Sequence, residues 1–470
     1  MSILFSERTQ TFHLYNEEMS YIMAVLPNGH LGQLYFGKRI HHKEDFSYLQ
    51  ERVHRSMTSY VYDDDDTFSL EHTRQEYGVY GTTDFRHPAV SILQKNGSAI
   101  SDFVYRGHEI LQGKPKLSGL PATYTEDPGE AETLAVKLQD PLTGIVLTLL
   151  YTIFAEGGIL ARSAEFQNEG KEAVYLTRAM SLCLALPDCE YEWLQFSGAW
   201  ARERHLKVRR LEQGIQAVDS IRGNSSHEQN PFIVLKRPTA DETQGEAIGF
   251  SLVYSGNFLA QAQVDTQDTT RVLLGIHPFG FRWKLEPGES FQTPEAVMVY
   301  SHRGLGHMSR TFHRLYRTRL ARGYWRDRER PILNNNWEAT YFDFTEDRLV
   351  KIAEKAKEYD FKLEDVIFVG FSNGSNIAIQ LMLQQADKFK KAMLFAPLYP
   401  ADIEVKEDFS DVNVFLSLGK ADPIVPEVES ERVIQLFENR NADVTHIWVK
   451  GHTLPQEALA AGKAWLDKQN

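Results

Sequence analysis

Apolar and polar positions alternate in short runs through the first three hundred residues. FHLYN, SYIMAVL, GQLYFG, IVLTLLYTIF, AVYLTRAMSLCLAL, AIGFSLVYSG and RVLLGIHPF are each of strand length. Turn-rich clusters such as LPNGH, QKNGS and LEPGES separate them. Strand follows strand with no helical period between, which predicts a large antiparallel β-sandwich over residues 1–300. The period changes near residue 302. In MSRTFHRLYRTRLAR, Met308, Phe312, Leu315, Tyr316 and Leu320 recur at helical spacing on an arginine-rich background. This predicts an amphipathic helical linker over 301–330, packed on the sandwich, with its arginines as a solvated face rather than a nucleic-acid site.

Beyond residue 330, PILNNNWEATYF reads as a strand with a polar end. TEDRLVKIAEKAKEY reads as a helix capped by Thr345, with Leu349, Ile352, Ala353 and Ala356 along one face. Strands and helices then alternate. DVIFVGF, KAMLFAPL, NVFLSLG and VTHIWVKG are strands, and NIAIQLMLQQ, ESERVIQLFENR and QEALAAGKAWLDK are helices. Continuous apolar strands between helices signify a mostly parallel sheet buried on both faces. The fold class is therefore multi-domain: a large antiparallel β-sandwich, then a short α/β unit over 331–470.

Composition narrows the function classes. Of 470 residues, 42% are hydrophobic and 24% charged, which fits a folded globular chain and not a disordered one. The net charge of −13 gives a phosphate backbone nothing to bind, so no nucleic-acid partner is expected. Cys183 and Cys189 are too few for a disulfide framework and match no zinc spacing, so a reducing cytoplasm is expected, with no metal and no cofactor. The acidic run Asp63–Asp66 lacks the alternating ligands of a calcium loop and reads as solvated surface. The most apolar stretch, Ile145–Phe154, is about half the roughly 20 residues a bilayer requires, so no membrane span is expected. The N-terminus lacks the charged and apolar regions of a signal peptide.

Candidate chemistry sits in the α/β unit. Gly370-Phe371-Ser372-Asn373-Gly374 fits G-x-S-x-G between a buried strand and a helix, the context in which a strained turn lifts a serine above a sheet. Asp422 lies just past strand NVFLSLG, and His452 just past strand VTHIWVKG. The order Ser, Asp, His, each at a strand's C-terminal end, is that of α/β-hydrolase triads. His452 would take the Ser372 proton, Asp422 would hold the imidazole, and the Asn373 amide would supply one oxyanion donor. Taken singly, Ser372 could be a helix N-cap, Asp422 a turn residue before Pro423, and His452 an ordinary loop residue.

Two resemblances follow from longer stretches. From residue 1 to about 358 the chain resembles glycoside hydrolase family 36, the bacterial α-galactosidases. The likeness rests on TFSLEHTRQEYGVYGTTDFR, KPKLSGLPATY, EAETL, GAWARER, SSHEQNPF, YSGNFLAQ, PGESFQTPE and RERPILNNNWEATYFDF. It implies that NNWEATYF is the first strand of a (β/α)₈ barrel, that Trp337 lines a galactoside pocket, and that the sandwich forms homo-oligomers. His54 stands where relatives carry an acidic residue near that pocket. The family's Asp-Asp-Gly-Trp, Lys-Trp-Asp and cysteine- and glycine-rich acid motifs do not follow, so the carboxylate pair a retaining glycosidase needs is missing.

From about residue 359 the chain resembles the C-terminal half of a carboxylesterase/phospholipase-type α/β-hydrolase of the dienelactone-hydrolase-like kind, through VGFSNGSNIA, AMLFAPLYP, LGKADPIVP and VKGHTLPQEALAAGKAWL. The family's first strands and its HGxG-type oxyanion loop have no counterpart upstream. The join falls in KIAEKAKEY, and a right-handed β-α-β unit would set PILNNNW beside DVIFVGF, bringing Trp337 and Glu338 to the edge that carries Ser372. The expected function is weak serine carboxylic-ester hydrolysis, with a small-molecule ester as substrate. The alternative is an α-galactosidase-related protein that binds galactosides or serves as an inactive scaffold.

Overall fold

In the computed structural model, residues 1–398 and 408–469 are described, with the side chain of Ala356 excepted. Ala356 on its expected helix face, and the Tyr399-Pro400 end of AMLFAPLYP, therefore lie outside the described residues. The chain divides into two units, Met1–Arg330 and Pro331–Asn470.

The sheets of the first unit are built from antiparallel strand pairs. Among the described residues the unit forms a four-stranded sheet from the N-terminus, a six-stranded sheet and a ten-stranded sheet. The four-stranded sheet runs in simple order through Ser2–Ser6, Thr11–Tyr15, Met19–Val25 and Leu31–Lys38. One continuous core unites all three sheets, with Phe12 and Met23 from the first, Leu182 and Leu274 from the second, and Leu147 and Phe250 from the third. Helix Gly304–Leu315 buries Met308, Phe312 and Leu315 against the sandwich. A helix this short is marginal alone, and about 1.5–3 kcal/mol per buried apolar side chain is what holds it. Gly249 makes the seat, since a Cβ there would meet the Phe312 ring at 2.5 Å.

The stretches that carry the family resemblance build a polar core here. From TFSLEHTRQEYGVYGTTDFR, Glu76 meets Arg162 at 3.2 Å and accepts from the hydroxyls of Tyr21 and Tyr151, all fully or almost fully buried. Asp84 of the same stretch is bound by Arg86 and Arg271 at 2.8 and 2.5 Å. Glu295, the last residue of PGESFQTPE, pairs with Lys114 at 2.5 Å and accepts from Thr123, both in KPKLSGLPATY. Buried charges persist only when paired in this way. Cys183 and Cys189 are free thiols, and burial pushes the Cys183 thiol up. Among the described residues no helix is long and apolar enough to cross a membrane.

The second unit holds a four-stranded, all-parallel sheet in chain order: Ile367–Phe371, Lys391–Phe395, Asn413–Lys420 and Asp443–Lys450. Helices Asn373–Gln384, Glu427–Glu438 and Gln456–Leu466 follow the first, third and fourth strands. Leu394, Leu416, Ile379 and Phe437 fill one side of the sheet, and Phe395, Phe415, Ala458 and Trp465 the other.

Two expectations fail. PILNNNW is not a strand, nor the first strand of a barrel, and it does not pair with DVIFVGF. Residues 331–335 have no regular structure, and Asn336–Thr340 is a short helix. The reason is local: the Asn335 side chain accepts from the Trp337 amide at 3.1 Å and caps a helix start. Among the described residues, strand Ile367–Phe371 pairs with Lys391–Phe395 alone. The segment after Thr345 also differs from one long helix. It is α-helical over Glu346–Glu354, tightens to a 3₁₀ turn over Lys355–Tyr359, and ends at Asp360 with φ of 61°.

Candidate active site

Because the four strands run parallel, the turns that follow them gather at one edge. Each turn begins in the left-handed region: Ser372 at φ 53°, Ala396 at 46°, Ala421 at 55° and Gly451 at 72°. For a non-glycine residue such a conformation costs on the order of 1–2 kcal/mol, and strain of this kind collects at functional sites.

Ser372 occupies the turn between strand Ile367–Phe371 and helix Asn373–Gln384. Gly370 makes the turn sterically feasible, since a Cβ there would lie 2.4 Å from Gly374 backbone. The strained turn is pinned to the neighbouring strand. The Ser372 amide donates to the Phe395 carbonyl at 2.8 Å, and the buried Ser375 hydroxyl lies 2.7 Å from the Gly370 carbonyl and 2.9 Å from that of Phe395. Asn376 completes the clamp by accepting from the Leu398 amide at 2.8 Å. Sequence reading missed Ser375 and Asn376. The signal was available, since both are polar residues in the first turn of an otherwise apolar helix.

Asp422 and His452 meet. His452 Nδ1 is 2.8 Å from Asp422 Oδ2, with the aspartate side chain fully shielded and the histidine 12% exposed. The other oxygen, Oδ1, accepts from the amides of Ile424 and Val425 at 2.8 and 3.0 Å. Burial pushes the Asp422 carboxyl up, but those two amides and the His452 ring outweigh it and hold the group below its ordinary value. An ionised Asp422 fixes the proton on Nδ1 and leaves Nε2 as the basic nitrogen.

Ser372 shares the edge with this pair, and the ring of the preceding Phe371 lies 5.2 Å from that of His452. The Ser372 hydroxyl makes no hydrogen bond among the described residues. Asn373 heads a helix whose first amides have no intrahelical acceptor, the arrangement that receives an oxyanion. A Cβ on Gly374 would meet nothing within 4 Å. Trp337 stands apart: its ring packs edge-on against Phe342 at 4.8 Å and Tyr341 at 5.8 Å. No hydrogen bond or ring contact among the described residues joins it to Ser372, Asp422 or His452. Also among the described residues, no cluster of His, Cys, Asp and Glu could hold a metal ion.

Comparison with known proteins assigns the larger part of the chain. Residues 29–286 match the profile of the glycosyl hydrolase family 36 N-terminal domain, and residues 290–371 that of melibiase. The chain belongs to glycosyl hydrolase family 36. α-Galactosidase AgaA of Geobacillus stearothermophilus is 51% identical over 363 residues, which is 77% of this chain and 50% of that one. α-Galactosidase Mel36A of Lactobacillus acidophilus is 39% identical over 363 residues, 77% of this chain and 49% of that one. The chain thus spans about half the length of the curated relatives it matches. A crystal structure of family 36 AgaA in complex with raffinose superposes with a TM-score of 0.73 at 38% identity, covering 98% of this chain and 69% of that one. A second profile, phospholipase/carboxylesterase, matches residues 335–470 and overlaps the melibiase match up to residue 371. Family 36 sequence and carboxylesterase-like sequence therefore meet within the second unit.

Proposed function

We propose that this chain is an α-galactosidase-related protein by its larger part, and that its own chemistry is weak hydrolysis of a small carboxylic ester at Ser372. The observation that carries the chemistry is the His452–Asp422 contact of 2.8 Å on the edge where Ser372 is held at φ 53°. In the reaction, Ser372 Oγ adds to the ester carbonyl carbon while its proton passes to His452 Nε2. The carbonyl oxygen takes up negative charge before the Asn373 amide. Collapse breaks the ester C–O bond, and the alcohol leaves with the proton from His452. Water then adds to the acyl-Ser372, giving a proton to His452. The carboxylic acid departs and Ser372 recovers that proton. Activity is expected to be weak, because a missing oxyanion donor costs about 10²–10³ in rate.

p-Nitrophenyl butyrate tests this reading. Slow turnover that disappears in His452→Ala is expected, and equal turnover by the variant would overturn it.

A second reading is favoured by the 51% identity to AgaA over 363 residues. On it the chain binds galactosides or acts as an oligomeric scaffold through the sandwich, without glycosidase chemistry. Calorimetric titration with raffinose, together with an aryl α-galactoside assay, tests it. Saturable binding with zero turnover supports that reading, and absence of binding leaves only the scaffold.

A further inference from the structure

Ser372 and His452 come from opposite ends of the four-stranded sheet. The serine follows Ile367–Phe371, the first strand in the order, and the histidine follows Asp443–Lys450, the fourth. Neighbouring strands lie about 4.8 Å apart, so the two strand ends start about 14 Å from each other. No hydrogen bond among the described residues joins residues 371–373 to His452. A ring contact does: the Phe371 ring lies 5.2 Å from the His452 ring, inclined at 58° to it.

Alternation along the strand explains this contact. Ile367, Val369 and Phe371 share a face, and Ile367 packs with Phe395, Phe415 and Trp465 on the side covered by helix Gln456–Leu466. That helix begins four residues after His452, so Phe371 stands on the face that receives the histidine turn. Asp422 alone does not fix the imidazole. It holds Nδ1, but the Cβ–Cγ torsion of a histidine has a broad well, which leaves the ring plane loose. An aromatic ring packed against the imidazole removes that freedom.

Building on the ester-hydrolysis reading, we propose that Phe371 is a positioning residue, whose ring sets the plane of the His452 imidazole and so the direction of Nε2. It touches no reacting atom and acts through His452. The strand end that holds Ser372 at φ 53° thereby also orients the base. At 42% exposure Phe371 adds little to the core, so replacing it should leave the fold intact.

The test compares the full chain with Phe371→Leu, Phe371→Ala and Phe371→Tyr, using p-nitrophenyl butyrate and a fluorophosphonate. Loss of the ring should lower kcat about tenfold, keep KM within about twofold, and slow labelling of Ser372 by a similar factor. Phe371→Tyr keeps the ring and should recover most of the loss. Proton NMR of the His452 ring adds a readout that does not depend on turnover. Its carbon-bound proton signals should move in the Leu and Ala variants, which lose the ring current, and stay near their original positions in Phe371→Tyr. Unmoved signals, an unchanged kcat in Phe371→Leu, a loss confined to KM, or a loss that Phe371→Tyr shares in full would each overturn the positioning role. With the unsubstituted chain active and labelled, those results leave the serine chemistry standing. Absence of both turnover and labelling in the unsubstituted chain would overturn the ester-hydrolysis reading and this role with it.

Discussion

His452 Nδ1 lies 2.8 Å from Asp422 Oδ2, and the carboxylate that holds it is fully shielded and bound by two further amides. On the proposed ester-hydrolysis reading, that arrangement sets the imidazole tautomer before an ester arrives. Asp422→Asn would present an amide in place of the acceptor and favour the wrong tautomer. Reaction of Ser372 with a fluorophosphonate should slow by about 10⁴ while the circular dichroism spectrum stays unchanged. An unaltered labelling rate would mean that Asp422 is only a turn residue.

Gly370→Ala tests the turn. Its new Cβ would fall 2.4 Å from Gly374 backbone, and neither strand nor helix can yield without displacing Ser372. A loss of about 1–3 kcal/mol in urea unfolding of the second unit is expected, together with loss of labelling. Full activity would show that the turn is not strained as described.

Much of this architecture was legible in the residues themselves. The sandwich strands announce themselves because their turns carry Gly, Pro and Asn at strand-length intervals. The serine turn is legible because an apolar strand, G-x-S-x-G and an apolar helix stand in sequence order. PILNNNW misled for a physical reason. Ile332 and Leu333 look like strand residues, yet both are exposed, and Asn335 turns its side chain to capping a helix. The Glu76–Arg162 pair was hidden because its partners come from distant strands and loops that only the fold brings together.

That pair gives a stability prediction. Burial pushes the Glu76 carboxyl up against the pull of Arg162 and the hydroxyls of Tyr21 and Tyr151. Arg162→Met would leave the carboxyl without its cation and should cost about 3–5 kcal/mol in denaturant unfolding. Adding Glu76→Leu should recover part of the loss, giving a coupling energy well above that of independent sites. Additive losses would contradict a direct pair.

The first unit should also weaken in mild acid. Burial, with His42 and Arg39 nearby, lowers the His13 pKa to about 4. Unfolded, the ring takes up its proton near 6.5, so between those values the unfolded chain binds more protons than the folded one. Stability is therefore full above about 6.5 and falls as pH drops toward 4, by about 1–2 kcal/mol after solvent screening is allowed for. Thermal unfolding of His13→Gln should show a flatter profile over that window. An identical slope would remove His13 as the cause.

The most direct measurement is a fluorophosphonate reaction followed by peptide mapping in a mass spectrometer. The predicted result is one adduct, on the peptide containing Ser372, absent from Ser372→Ala and from heat-unfolded protein. Equal labelling of Ser372→Ala, or no adduct on the folded chain after prolonged exposure, would contradict a working serine site.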